Sequence, residues 1–434
     1  MQEFRRSSRD IRRESRLDVL HALLPAETST RAEVARATGL SVATVATLVS
    51  ELLAEGVVVE AGLDGSGAGR PTTLLRIDEA RGALLSVEVG EGFARAVAFD
   101  AAIGELSSAE VDVDGALTVE HVATAVVEAA RAALGKAGLA ESSVLGVGVA
   151  LPGHVHGGGR RDVVEPHRGW DSTELIERVR AQTDMPIVAD NPLKAIGAAE
   201  LWFGRGPSAD SMVVANLGTG VGAGIVVGGK LLRGAGNRAG EWGHSLLVLD
   251  GRECACGRRG CVEAYLGEPG IRETLREVAP GHPLAGHSAS GFSEALGAAL
   301  ADGPDEVLGA ALAHGPDEAL GAALAHGPDE VLGAALAHGP DEALAEVVER
   351  TARLLGYALA DLVAIVDPQL LVLTGCTAWA LGEHLLPAVS RHLADRAPAG
   401  ALDGVTLEVS TVRGNAVAVG MATLAFEAFV GAPT

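Results

Sequence analysis

Apolar stripes at helical spacing alternate with short polar breaks through the first eighty residues. Leu17, Leu20 and Leu24 fall three to four positions apart, and Pro25 closes the helix they define. Thr30-Arg31-Ala32-Glu33 is a capping box that opens a second, short helix ending at Thr38-Gly39, where glycine tolerates the left-handed turn. Ser41 caps a third helix whose apolar positions Val45, Leu48, Val49 and Leu52 form one buried stripe up to Gly56. Helix, tight glycine turn and helix predict a helix-turn-helix. Beyond it, Val57 to Glu60 and Thr73 to Ile77 read as short strands around a glycine-rich loop, Gly62 to Pro71, which is a wing.

From Ala83 the pattern changes to strands. Leu84 to Val89, Ala94 to Phe99 and Leu106 to Val113 follow one another, then an amphipathic helix from Val119 to Leu134 and a strand from Val144 to Ala150 that ends in Leu151-Pro152-Gly153. Strand triplet, helix and strand predict an α/β lobe. A second lobe begins near Ser211, where Met212 to Leu217 runs into the glycine-dense stretch Gly218 to Gly224, expected to be a turn between two strands. Between Glu294 and Leu344 a twelve-residue unit recurs with glutamates at 294, 306, 318, 330 and 342, and each Gly-Pro and Asp predicts a break and a cap in a string of two-turn helices. The insert carries no assigned chemistry, and His314, His326 and His338 read as solvated tips.

Composition narrows the picture. The 48% hydrophobic content of the 434 residues is mostly small side chains, with aromatics at 3%, and no apolar run reaches the about 18 residues that span a bilayer. The promising stretch from Leu359 to Thr374 is broken by Asp361 and Asp367. The N-terminus lacks the apolar core of a signal peptide, so the expected location is the cytoplasm and no membrane partner is expected. A net charge of −23 argues at first against nucleic acid, whose phosphates reward Lys and Arg. The acidity, however, belongs to the body. Arg5, Arg6, Arg9, Arg12, Arg13 and Arg16 outnumber the acids of the first twenty residues, although such a cluster alone is more often a solvated tail than a DNA arm.

On the predicted third helix Ser41, Val42, Thr44 and Thr47 form an exposed, small-residue face able to approach base edges in a major groove. Arg70, between Gly69 and Pro71 at the wing base, suits a minor groove, where negative potential favours a guanidinium. Cap, turn, wing and arginines together favour DNA binding over a generic three-helix module for protein contacts.

His244, Cys254, Cys256 and Cys261 read His-x9-Cys-x-Cys-x4-Cys in a glycine-rich loop. Three thiolates and an imidazole are the donor set of a closed tetrahedral zinc centre with no open position for a catalytic water, so the expected cofactor is structural zinc. The competing reading, a disulfide pair, is disfavoured without a secretory signal. Cys376 lies far along the chain in an apolar stretch and reads as packing.

Together Gly218 to Ile225, Gly234, Gly240-Glu241-Trp242-Gly243-His244 and Cys254 to Glu263 resemble the signature of the ROK family, which groups sugar-responsive repressors and sugar kinases. Leu151-Pro152-Gly153, Asn191, Glu200 and Val372 to Gly375 also fall at that family's landmarks. The resemblance implies an α/β fold in which an N-terminal winged helix-turn-helix (1–80) precedes a two-lobed actin-like ATPase, ribonuclease-H-like body. Its lobes are expected at 81–200 and 201–434, the second carrying the zinc loop 244–261 and the repeat insert 294–344. It implies that Asn191, Glu241, His244 and Glu263 hold sugar hydroxyls, with His244 serving zinc and sugar through different nitrogens; the alternative role of these residues is to shape the zinc loop.

The family's kinases need an aspartate base that follows an asparagine and precedes a glutamate by eight residues. Asn191 and Glu200 mark that frame, and the position is Pro192, which cannot accept a proton. The family's first phosphate loop, Asp-x-Gly-x-Thr, reads here Glu88-Val89-Gly90-Glu91-Gly92, without the hydroxyl and with an added carboxylate. Thr374-Gly375-Cys376 departs from the usual paired glycines. The expected function is therefore a sugar-responsive DNA-binding regulator, not an enzyme, most simply a repressor. Its expected partners are double-stranded operator DNA, a sugar or sugar-derivative effector and a second copy of the chain in a homodimer or homotetramer. The alternatives are a ROK-type sugar kinase carrying a DNA-binding domain and a regulator worked by a protein partner.

Overall fold

The computed structural model describes residues 8–65, 71–90, 92–113, 118–153, 155, 171–206, 209–286, 291–301, 342–412 and 415–431. At the N-terminus, helix α1 (Ser8–Leu23) leads to a two-residue strand β1 (Ser29–Thr30), α2 (Arg31–Thr38) and α3 (Val42–Ala54). The expected capping box is formed: Glu33 N–H donates to Thr30 Oγ1, and Glu33 Oε2 accepts from the Thr30 N–H at 2.7 Å. Gly39 then takes φ +68°, and α3 leaves α2 at a bend of 117°, which is helix-turn-helix geometry. Val45, Leu48, Val49 and Leu52 are all buried, as their spacing predicts. The wing strands β2 (Val58–Asp64) and β3 (Thr72–Ile77) pair antiparallel, and β1 completes their sheet in the order β1-β3-β2. Arg12 pairs with Glu51 and Arg16 with Glu55, so two arginines of the N-terminal cluster bind α1 to α3.

The first lobe is a sheet of five strands, β4 (Ala83–Val89), β5 (Phe93–Asp100), β6 (Glu105–Asp112), β7 (Val144–Ala150) and β8 (Ile187–Asp190). Its order is β6-β5-β4-β7-β8, antiparallel through the β4–β5–β6 meander and parallel from β4 to β8. Helix α4 (Val119–Ala137) and α5 (Ser172–Arg180) cover one face with buried Val122, Val126, Leu175 and Val179, while α6 (Pro192–Phe203) follows β8 after a single residue.

The second lobe repeats that order. Strands β9 (Ser211–Leu217), β10 (Val221–Val227), β11 (Lys230–Leu231), β12 (Leu370–Thr374) and β13 (Thr406–Val409) run β11-β10-β9-β12-β13, with the same switch from antiparallel to parallel. A 3-10 turn (Glu241–His244), α7 (Glu263–Leu266), α8 (Glu268–Val278), α9 (Phe292–Ala301), α10 (Glu342–Val366) and α11 (Cys376–Arg396) complete it. The glycine stretch differs from expectation: only Gly218-Thr219-Gly220 turns, and Gly222 and Gly224 pair with Asn216 and Val214 inside β10. The hairpin's hydrogen bonds override the weak strand preference of glycine. Of the twelve-residue repeat, α9 holds residues 294–301 of the first unit and α10 starts at the last; residues 302–341, with the expected string of short helices, lie outside the described residues.

The chain divides into two compact units, one comprising 1–207, 234–238 and 412–434, the other 208–233 and 239–411. The sequence-based boundary at 200/201 therefore misplaces the C-terminus. Helix α12 (Ala416–Phe429) belongs to the first unit, because Gly420 lets it seat on the backbone of α6 and Gly148 lets it seat on β7. A Cβ at Gly420 would stand 1.8 Å from Ala195 O, and one at Gly148 would stand 2.3 Å from Met421 O. Among the described residues no single helix is long and apolar enough to cross a membrane.

Candidate functional site

The helix-turn-helix brings Ser41, Val42, Thr44 and Thr47 onto one exposed face at the start of α3. Ser41 Oγ accepts the Thr44 N–H at 3.1 Å and shares a 2.8 Å hydrogen bond with Thr44 Oγ1, so both hydroxyls are held in fixed positions. Thr47 Oγ1 donates to Ala43 O at 3.0 Å and retains acceptor capacity for a base amino group. Val42 is 61% exposed although apolar. Arg70 lies outside the described residues.

His244, Cys254, Cys256 and Cys261 converge: one ligand atom from each lies within 4.8 Å of all the others. The loop folds this way because Cys254 N–H donates to Arg258 O and Gly257 and Gly260 take φ +82° and +77°. A Cβ at Gly260 would stand 1.9 Å from Val248 O, so the knuckle closes only over glycine. All four cysteines are free thiols. The spacings fit a tetrahedral ion: metal–sulfur bonds of about 2.3 Å and metal–nitrogen bonds of about 2.1 Å place neighbouring ligand atoms about 3.6 to 3.8 Å apart. Cys256 Sγ to Cys261 Sγ is 3.7 Å, and Cys254 Sγ to His244 Nδ1 is 3.7 Å. The cluster could hold a metal ion through four protein ligands.

The thiols differ electrostatically. Burial pushes the Cys254 thiol up to about 12 and raises that of Cys261. At Cys256 burial acts the same way but is outweighed by the Arg258 side chain and backbone and by the neighbouring thiols, which pull it down to about 6. Cysteine ligates as the thiolate, so an ion must work against the burial that raises the thiols of Cys254 and Cys261. Sequence reasoning missed Arg258. It also missed Arg252, which fixes the loop to α8 through Gly270 O at 2.7 Å and Thr274 Oγ1 at 3.0 Å, with its guanidinium 4.7 Å from the Tyr265 ring centroid. No spacing signal links Arg252 to residues up to 22 positions away.

The four residues implied to hold sugar fall in both units. Glu241 and His244 open and close the 3-10 turn, at an i, i+3 spacing that puts them on one side. That turn is set against β10, with a Cβ at Gly243 only 1.9 Å from Val221 O. Glu263 opens α7; its Oε2 accepts the Val221 N–H at 3.0 Å, and its Oε1 lies 3.9 Å from His244 Nδ1 and accepts from Cys254 Sγ at 3.6 Å. Its carboxylate thus braces the cysteine loop against the hairpin. Asn191 belongs to the first unit, where it caps α6: Oδ1 accepts the Leu193 N–H at 2.7 Å and Nδ2 donates to Gly153 O at 2.6 Å. Asn237, unremarked in the sequence, donates to Asp190 Oδ1 at 2.9 Å and to Val155 O at 2.8 Å, beside that cap.

Pro192, which the resemblance sets in the place of the family's base, is the first residue of α6. Glu88 lies near the end of β4, and burial raises its carboxyl against the pull of Arg95. Glu91 lies outside the described residues. Cys376 starts α11 beside the Gly218 turn, 3.6 Å from where a Gly218 Cβ would be, and burial first, then the charges of Glu268 and Glu294, push its thiol up to about 11. The packing role read for it gains a polar neighbourhood: buried Glu268 accepts the Ser293 N–H at 3.1 Å, and Ser293 shares a 2.8 Å hydrogen bond with Thr377.

A winged helix-turn-helix before two lobes of repeated topology, with a His-Cys cluster in the second, defines a class of proteins. Residues 84–428 match the ROK family and residues 12–59 match a winged helix-turn-helix DNA-binding family. The chain belongs to the ROK family, with an α/β, actin-like body behind an N-terminal helix-turn-helix. A xylose repressor of Caldicellulosiruptor bescii is 27% identical over 265 residues, 61% of this chain and 66% of that protein, so the chain spans about two thirds of that relative. A glucokinase of Halalkalibacterium halodurans is 28% identical over 288 residues, 64% of this chain and 76% of the kinase. The crystal structure of a ROK family transcriptional regulator, a homologue of the E. coli MLC protein, matches with a TM-score of 0.70 at 20% identity, covering 97% of this chain and 98% of that one. At that identity the likeness speaks to the fold.

Proposed function

We propose that this protein is a transcriptional repressor that binds operator DNA through its winged helix and changes its affinity for that DNA when a sugar occupies the ROK body. The observation that carries the reading is a complete helix-turn-helix, with its reading face exposed, on a ROK body whose base position is Pro192. In this reading Ser41, Val42, Thr44 and Thr47 meet base edges and Arg70 enters the minor groove, while Asn191, Glu241, His244 and Glu263 hold sugar hydroxyls. His244, Cys254, Cys256 and Cys261 hold zinc, which organises the loop and does not react. The resemblance to a xylose repressor supports a pentose or hexose effector. A helix-turn-helix reads one half-site, so useful affinity calls for two copies on a roughly palindromic operator.

The roles separate by mutation. Thr44→Ala should alter sequence preference more than general affinity, and Arg70→Ala should weaken binding across sequences, because base-edge and groove-charge contacts act independently. Glu241→Ala should leave operator affinity intact and abolish its sugar response, since it removes a sugar acceptor and touches nothing in the winged helix. Mobility-shift titrations on an operator selected from random-sequence DNA, with D-xylose and D-glucose as probes, read all three. Loss of unliganded DNA binding in Glu241→Ala would contradict the assignment.

A further inference from the structure

The winged helix is not tethered to the first lobe by a linker; it shares a core with it. One hydrophobic cluster joins Leu20 of α1 and Leu52 of α3 to Phe99 of β5, Trp202 of α6 and Phe426 of α12. Buried Arg16 links three elements at once, bonding both oxygens of Glu55 at the end of α3 and, at 3.4 Å, the carbonyl of Val430 just past α12. Ile103 fills part of the same cluster at φ +64°, a conformation that a β-branched residue adopts only when its surroundings impose it.

At the centre of this joint the His21 ring of α1 stands edge-on to Trp202, with centroids 3.5 Å apart at 75°. Trp202 Nε1–H donates to Glu427 Oε1 at 2.9 Å, and His21 Nε2 lies 3.5 Å from the same oxygen. Trp202 is the next-to-last residue of α6, and the first residue of that helix follows Asn191. Twelve residues of α-helix span about 18 Å, so one rigid element connects the sugar-side cap to the winged helix. Seated on α12 with backbone in contact at Gly420, α6 has little room to absorb a displacement along its length.

We propose that Trp202, His21 and Glu427 are positioning residues through which α6 transmits occupancy of the sugar site to the winged helix. The proposal rests on the repressor reading and deepens it. A displacement of the Asn191 cap moves Trp202, and the shared oxygen of Glu427 makes α1 and α12 follow. Because the core is common to both domains, the reading head stays packed on its lobe while α6 turns it, so the sugar acts by re-aiming the head and not by releasing it.

The test is the ratio of operator dissociation constants with and without sugar, using the full chain, the selected operator, and D-xylose and D-glucose as probes. The wild type is expected to show a ratio of about 5 to 150, the usual range of allosteric coupling. Trp202→Phe, which keeps a ring but loses the N–H, and Glu427→Leu should bring the ratio to within about twofold of one. Calorimetry on the same variants should find sugar affinity unchanged. Glu427→Gln retains the acceptor and should restore most of the ratio, a rescue that a merely structural role would not show. In the wild type, sugar should also change amide exchange in both residues 198–203 and residues 16–24, a readout independent of how any variant folds. A wild type that responds to sugar while Trp202→Phe and Glu427→Leu respond equally, or whose exchange changes in neither segment, overturns the joint alone. A wild type that binds operator but responds to no sugar overturns the repressor reading and the joint with it.

Discussion

Cys256→Ser is expected to strip the protein of its metal and to destabilise the second lobe. Serine offers no soft thiolate, and the three remaining ligands of the His244, Cys254, Cys256 and Cys261 cluster leave a tetrahedral ion incomplete. An ion bound a thousandfold above its dissociation constant contributes about 4 kcal/mol to the folded state, and structural zinc commonly binds more tightly than that. Losing it should lower the unfolding midpoint by on the order of 10 °C for a lobe of this size. Elemental analysis of never-chelated protein should find about one zinc per chain in the wild type and little in the variant. Because binding displaces protons from Cys254 and Cys261, whose thiols burial raises, acidification should release the ion in the wild type as well. Wild-type protein free of metal and equal in stability to Cys256→Ser would refute the metal centre.

The second large effect is a missing activity. With ATP, magnesium and a panel of hexoses, pentoses and amino sugars, turnover should fall at least a thousandfold below the 1 to 100 per second usual for kinases. A positioned general base alone contributes about 10²- to 10⁴-fold. The position that the resemblance gives the base is here the first residue of α6, a proline whose nitrogen is already bonded to three carbons. The adjacent Asp190 is no substitute, because its Oδ1 accepts the Asn191 N–H at 2.9 Å and the Asn237 amide, also at 2.9 Å. Glu88 is partly buried with a raised carboxyl, which suits metal chelation poorly, and buried Glu268 places negative charge beside the Gly218 turn where a phosphate would seek backbone amides. A coupled assay that returned ordinary kinase turnover would restore the kinase alternative.

Local signals carried the winged helix almost whole. Capping box, left-handed Gly39 and four-residue stripe are all set between Thr30 and Leu52, and each is found in place. The cysteine cluster was equally legible, since its donors are close in sequence and the glycines between them, Gly257 and Gly260, let the loop close to tetrahedral distances. What the sequence hid depends on contacts distant along the chain. Helix α12 returns to the first unit because Gly148 and Gly420 open space for it, and neither glycine announces that from its neighbours. The glycines of 218 to 224 looked like one turn, yet two of them are strand residues whose pairing with β9 comes from hydrogen bonds that no composition reveals. Glu263, to which the resemblance gives a sugar role, also has partners that the sequence does not show, with one oxygen on the Val221 N–H and the other on Cys254. The Arg16–Glu55 link and the His21–Trp202–Glu427 joint escaped notice because an arginine-rich N-terminus looks like a solvated tail until its partners are in place.

The central claim is that operator binding resides in the first eighty residues and its sugar response in the rest. It is tested most directly by titrating the selected operator with the full chain and with residues 81–434 alone, each with and without D-xylose or D-glucose. The account predicts that the full chain binds and that a sugar changes its affinity about 5- to 150-fold, while the truncated chain, which also loses one side of the core it shares with residues 1–80, binds no DNA. Operator binding that survived loss of residues 1–80 would contradict it.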